Sequence, residues 1–208
     1  MKIIVTTGPT REYIDSVRFI TTASSGKMGY AVAAEAVLSG HEVTLITGPT
    51  AIDPPAGCKV VRFVTVRELA QALDERFDDC DALIMAAAVG DFTVEKPAGT
   101  KISRSAGPVR ITLEPTEDVL AGLCRRKRPG QIIVAFAVED LPTEQAEAKA
   151  RDEMQRKNAD YVVLNPPAAM GAETSEACIL SPDGIVLTWA RRAKTDLARQ
   201  IIALLETK

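Results

Sequence analysis

The chain has one histidine, His41, and four scattered cysteines, Cys58, Cys80, Cys124 and Cys178, among 208 residues. No two cysteines form a CxxC pair. They read as reduced, semi-buried thiols rather than a disulfide framework or a metal site. His41 follows Gly40 at the end of a helical stretch, where capping accounts for it. A histidine-centred hydrolase and a histidine-ligated metal centre are therefore disfavoured. Net charge is only −3, so no basic excess invites nucleic acid or an anionic membrane surface. No apolar run approaches the roughly 18 residues that a membrane-spanning helix needs. Repeats, linkers and low-complexity tracts are absent. The N-terminus enters an apolar strand at once, so no signal peptide is expected and the expected location is cytoplasmic.

What remains is an ordinary globular composition, 46% hydrophobic and 25% charged, with enough length for a single domain over 1–208. Short Val/Ile-rich runs predict strands at 2–7, 43–47, 59–64, 82–87, 131–136 and 160–164, as strands buried on both faces read. Helical spacing predicts helices over 26–40, 66–77, 117–126, 143–157 and 191–206. The alternation predicts an α/β fold, an open and mostly parallel sheet with helices on both faces.

Two segments break this rhythm. "GPTREYIDSVRFITTASSGKMG" occupies 8–29 between the first strand and the first helix, where about 2–6 residues are usual. A loop of that length carrying Arg, Asp, Ser, Gly and Lys is one that holds something. "DFTVEKPAGTKISRSAGPVRITLEP", 91–115, reads as a projecting β-hairpin over about 92–115, with arms 100–105 and 108–113 around an Ala106-Gly107 turn. Such a hairpin is a flap over a site or a dimerisation arm. A second hairpin is expected over about 176–188, with Asp183-Gly184 at its turn.

Candidate site residues cluster at these breaks. Gly8 lets the backbone turn sharply after the first strand. "SSGKMG" opens a helix whose free N–H groups suit phosphate, with Ser24, Gly26 and Gly29 allowing close approach; alternatively a serine caps the helix and the glycines relieve packing. The Arg18 guanidinium suits a carboxylate or phosphate, or a surface ion pair. "AAAVGDF" leaves room for a ligand beside Ala87 and Ala88. Asp91 follows as an acceptor of ligand hydroxyls, a metal ligand or a turn residue. Lys101 on the flap would neutralise a leaving phosphate, or is simply solvated. Phe136 is core or stacks on a base. Lys157 closes a helix, where a cation also favours the dipole.

In order and spacing, "TTGPTREYIDSVRFITTASSGKMG", "AAAVGDF", "TKIS", "VAFAVED" and "RKNADYVVLN" resemble the phosphopantothenoylcysteine synthetases (phosphopantothenate–cysteine ligases). These often form the C-terminal half of a bifunctional coenzyme A biosynthesis protein. No flavin-dependent decarboxylase half precedes Met1, so a stand-alone single-domain nucleotide-binding ligase is expected, with a separate phosphopantothenoylcysteine decarboxylase as a partner. The resemblance implies a Rossmann-like fold and a homodimer whose arms reach the neighbouring site. It implies CTP as co-substrate and Mg²⁺ as cofactor. The 4'-phosphopantothenate carboxylate is activated as an acyl-cytidylate, and cysteine then displaces CMP. By motif position, Gly8, Ser24, Gly26 and Gly29 would meet the nucleotide phosphates, and Phe136 and Lys157 would line the nucleotide pocket. Arg18, Ala87, Ala88 and Asp91 would meet phosphopantothenate or its acyl intermediate, and Lys101 would serve anhydride formation. The family usually has Asn, associated with the acyl intermediate, where Thr22 stands here. It also usually has Lys at Glu153, Pro-Asp at Glu117-Asp118, Asn-Asp at Asn165-Pro166, and a richer basic run around Lys101 and Arg104.

Overall fold

Apolar runs too hydrophobic for a surface strand become the interior of one sheet. In a computed structural model, residues 1–206 are described; of the domain expected over 1–208, residues 207 and 208 lie outside them. The chain order is β1 (Lys2–Thr7), β2 (Arg11–Tyr13), β3 (Phe19–Thr21), α1 (Lys27–Leu38), β4 (Glu42–Thr47), β5 (Lys59–Arg62), α2 (Val66–Asp74) and β6 (Ala82–Met85). There follow β7 (Phe92–Val94), β8 (Leu113–Pro115), α3 (Val119–Arg125), β9 (Ile132–Val138), α4 (Thr143–Lys157), β10 (Tyr161–Asn165), β11 (Thr174–Ser181), β12 (Gly184–Ala193) and α5 (Lys194–Glu206).

The main sheet runs β12-β11-β10-β9-β6-β1-β4-β5. Its last six strands are parallel, and β11 and β12 add an antiparallel edge. Numbered by themselves, the parallel strands lie 3-2-1-4-5-6, the Rossmann order, which switches direction between β1 and β6. Alternate residues feed two cores. Ile3, Val5, Val43, Leu45, Ile84 and Val163 pack under α1 and α5. Ile4, Ile46, Leu83, Ile133 and Leu164 pack under α2, α3 and α4. Both faces are covered, which is why these strands lack the polar alternation of a half-exposed sheet.

Local chemistry sets the helix ends. The Thr65 side chain accepts from Glu68 N (3.2 Å) and caps α2, while the Glu68 carboxylate accepts from Val64 N at 2.7 Å. Asp118 caps α3 through Ala121 N (2.9 Å). α4 closes at Asn158, which takes a left-handed φ of 59°.

Several boundaries correct the sequence reading. α3 begins at Val119 rather than 117, because Asp118 is its cap. α5 begins at Lys194 rather than 191, because β12 continues to Ala193. The flap differs most. Arms 100–105 and 108–113 are not paired strands; β7 pairs with β8 instead, Phe92 opposite Pro115 and Val94 opposite Leu113. Between them only a 3-10 turn forms, at Arg104–Ala106. Pro97 and Pro108 lack the N–H a ladder needs, and Gly99 and Gly107 add freedom where order would have to be fixed. The opening loop contains a small hairpin of its own, β2 with β3.

Candidate functional site

The carboxyl ends of β6, β9 and β10 open into a cavity of about 480 Å³ beside the switch point. Its floor is the segment after β6, and threonine hydroxyls from the β1 side hold that floor. Thr6 Oγ1 accepts from Ala87 N (3.0 Å), and Thr10 Oγ1 accepts from Gly90 N (2.9 Å). Ala88 N donates to Gly8 O at 2.9 Å. Small side chains at 86–88 leave the space that bulkier ones would fill.

One wall is the start of α1. Its N-cap is Gly26, at φ 78° with no side-chain cap, and no acidic residue stands in the first turn. The serines act one step earlier than a cap. Ser24 Oγ accepts from Gly26 N (3.3 Å) and Ser25 Oγ from Lys27 N (3.4 Å). The next N–H groups have no acceptor within the helix and carry the positive end of its dipole. Gly29 is small for a packing reason: a Cβ there would come within 2.4 Å of Thr7 Cβ and Oγ1.

The opposite wall carries Phe136, Val138 and Lys157. Lys157 Nζ pairs with Asp118 Oδ2 at 3.0 Å and with Glu153 Oε2 at 3.8 Å. Burial alone would raise the Asp118 carboxyl's pKa; the Ala121 N–H and the Lys157 and Arg156 charges outweigh it and hold the group below its usual range.

Nine candidate residues thus share one cavity: Thr22, Ser24, Gly26, Gly29, Ala87, Ala88, Asp91, Phe136 and Lys157. Thr22 Oγ1 donates to Ala88 O at 3.2 Å. Three others lie elsewhere. Gly8, at φ 78°, turns the chain after β1, and a Cβ there would meet Thr50 Cγ2 at 2.9 Å, so its smallness serves packing. Arg18 Nη1 donates to Asp15 Oδ2 and to Ile102 O (3.2 Å), fastening the flap instead of lining the cavity. Lys101 is exposed on the flap, outside the cavity lining.

The sequence reading missed Lys27 and Lys194, which also line the cavity. The "GK" at the start of α1 offered a signal for Lys27. None existed for Lys194, whose burial depends on β12 delivering it to the sheet edge.

A doubly wound α/β domain with an open cavity at the switch point of its sheet has the Rossmann-like fold, and that edge is where such sheets bind ligands. The chain belongs to the family of the DNA/pantothenate metabolism flavoprotein C-terminal domain, whose pattern matches residues 1–207. It is 38% identical over 206 residues to a cysteine/cysteine sulfinic acid decarboxylase from an unknown prokaryotic organism, covering 97% of this chain and 56% of that relative. It is 38% identical over 217 aligned residues to the coenzyme A biosynthesis bifunctional protein CoaBC of Mycobacterium tuberculosis (strain ATCC 25618 / H37Rv), covering 99% and 52%. The chain therefore spans about half the length of the curated relatives it matches. The crystal structure of the C-terminal domain of a CoaBC superposes with a TM-score of 0.81 at 33% identity, covering 99% of this chain and 94% of that one.

Proposed function

We propose that this chain is a phosphopantothenate–cysteine ligase that uses CTP. The observation supporting this reading is the convergence of Thr22–Gly29, Ala86–Asp91 and the Phe136–Lys157 wall on one cavity. Those segments carry the family resemblance, and they lie far apart in sequence. A carboxylate oxygen of 4'-phosphopantothenate attacks the α-phosphorus of CTP and pyrophosphate leaves. The cysteine amine then attacks the acyl carbon, loses a proton and expels CMP. Such chemistry asks mainly for fixed phosphates and neutralised charge, not a strong base. The uncapped start of α1 meets the phosphates, Phe136 and Lys157 flank the nucleoside, and Ala87, Ala88 and Asp91 border the acyl group. Lys101 acts from the flap and the free nitrogens of Arg18 from the loop that fastens it, and the flap reaches into the neighbouring site of a homodimer. The product is then a substrate for a phosphopantothenoylcysteine decarboxylase.

Among the described residues no group of three or more His, Cys, Asp or Glu forms a metal cage. Mg²⁺ carried with a nucleotide requires none, since one or two carboxylates and the phosphates suffice. Asp91 and Glu117, both in the cavity lining, would hold it. When bound, the ion neutralises phosphate charge.

Pyrophosphate release from CTP that requires phosphopantothenate, continues past one turnover only with cysteine, and gives the coupled amide by mass is the expected result. No release with any common nucleoside triphosphate would sink the assignment. A second reading, a related ligase for another acid or amine, rests on Thr22. The proton of its hydroxyl goes to Ala88 O, whereas the family's usual Asn has an amide to offer. Turnover with another acid–amine pair, and none with phosphopantothenate and cysteine, would favour it. CTP binding without turnover under any pairing would mark an impaired paralogue.

A further inference from the structure

The far end of the cavity holds a charge that the chain does not balance. Lys194, the first residue of α5, is only 8% exposed and lines the cavity. Among the described residues its Nζ makes one hydrogen bond, to Ala169 O at 3.1 Å, and no ion pair. An ammonium has three N–H donors, so two remain for something else. A buried, unpaired cation is costly and persists where a partner repays it.

Its surroundings add more positive charge. Lys27 lines the same end; its ammonium pairs with Glu173 and donates to Gly171 O at 3.2 Å. The Glu173 side chain is 82% exposed, so water screens the pair. Burial, and next the charge of Lys27, push the Lys194 pKa below its usual value, with Glu173 opposing. The uncapped start of α1 opens onto the same space. Two ammonium groups and a helix N-terminus around one volume call for a multiply charged anion rather than a single carboxylate.

We propose that Lys194 and Lys27 form a binding subsite for the pyrophosphate portion of the nucleoside triphosphate. The proposal rests on the ligase reading for the ligand's identity, but its test needs no turnover. Inorganic pyrophosphate with Mg²⁺ is titrated into the intact chain by calorimetry, and the thermal shift it induces is recorded in parallel. The wild type binds, and Lys194→Met weakens pyrophosphate and CTP at least tenfold while 4'-phosphopantothenate binding changes less than twofold. Lys27→Gln, at a partly exposed position, weakens pyrophosphate several-fold and serves if the Lys194 variant folds poorly. The ligand-induced shift is the readout, because a merely structural lysine would lower the melting temperature without altering that shift. Three outcomes overturn the subsite: a wild type indifferent to millimolar pyrophosphate, folded variants that bind it as well as the wild type does, or variants that lose phosphopantothenate instead. A protein that binds pyrophosphate through Lys194 yet performs no ligation would remove the ligase reading and leave the subsite standing.

Discussion

At the scale of single residues, the glycines divide by what a side chain would strike. A Cβ on Gly29 would meet Thr7 at 2.4 Å and Thr6 O at 2.9 Å, which presses α1 away from β1. Gly29→Ala should destabilise by about 1–3 kcal/mol, the usual cost of overpacking. It should also weaken any ligand held at the start of α1, since that helix end would shift. Gly122, inside α3, has Arg125 Nη2 as its nearest obstacle at 3.8 Å. Gly122→Ala should therefore stabilise, by about 0.5–1 kcal/mol, through helix propensity alone. Urea denaturation of the two variants checks the pair, and equal effects would refute the steric account. Read as text, both are a glycine in a helix. Only the neighbouring strand tells them apart, so the reading left phosphate contact and packing relief open at Gly29, and the contact with Thr7 gives it the packing role.

At the scale of elements, one buried carboxylate, Asp15, fastens the middle of the flap. Asp15 is buried and accepts from Val17 N and Arg18 N (both 2.8 Å), from Ile102 N (3.1 Å) and from the Arg18 guanidinium. Ala98 N donates to Ile14 O at 2.9 Å and adds a second tie. Burial alone would raise the Asp15 pKa; the N–H groups of Val17, Ile102 and Arg18 and the Arg18 charge outweigh it and bring it to about 2, from 3.8. Because the folded value is the lower one, the unfolded chain binds more protons. The latch therefore contributes stability that is complete above about pH 4 and fades as pH falls through about 2. Melting temperatures measured between pH 5 and 2 should drop more steeply for the wild type than for Asp15→Asn. Asp15→Asn should already be less stable at pH 7, with faster amide exchange around Ile102. Parallel slopes would show that the carboxylate is not the fastening. The parallel strands and five helices were legible from apolar runs and helical spacing, because both faces of the sheet are covered. The flap was legible as a projecting hairpin over about 92–115, but its paired strands were misplaced, because its middle satisfies partners in another loop and leaves no period along its own sequence. The β2–β3 hairpin was too short to read, although Tyr13 and Phe19, opposite each other with ring centroids 5.9 Å apart, are its trace.

At the scale of the whole molecule, one apolar surface has no cover within a single chain. Val109 and Ile111 are exposed in the irregular segment that leads into β8, Leu113 is exposed at the start of β8, and Phe92 is exposed on the paired β7. Tyr13 and Val17, also exposed, belong to the neighbouring β2–β3 hairpin. A cluster of this size on a projecting arm is the usual mark of an association surface, and a second copy of the chain is the occupant that the family resemblance implies. Light scattering after gel filtration should give the mass of two chains for the wild type. Ile111→Asp combined with Leu113→Asp should give that of one, with the circular dichroism spectrum unchanged, because neither residue belongs to the core. A wild type at one-chain mass up to about 100 µM, a charge-bearing variant that stays paired, or one that unfolds would each count against the arm. The activity of the separated chain then carries the argument further. If Lys101 works across the interface, the one-chain variant should keep its pyrophosphate affinity, since Lys27 and Lys194 sit in one chain's cavity. It should nevertheless lose ligation by orders of magnitude. If ligation survives separation, the flap serves its own cavity, and the arm's apolar face has some purpose other than completing the site.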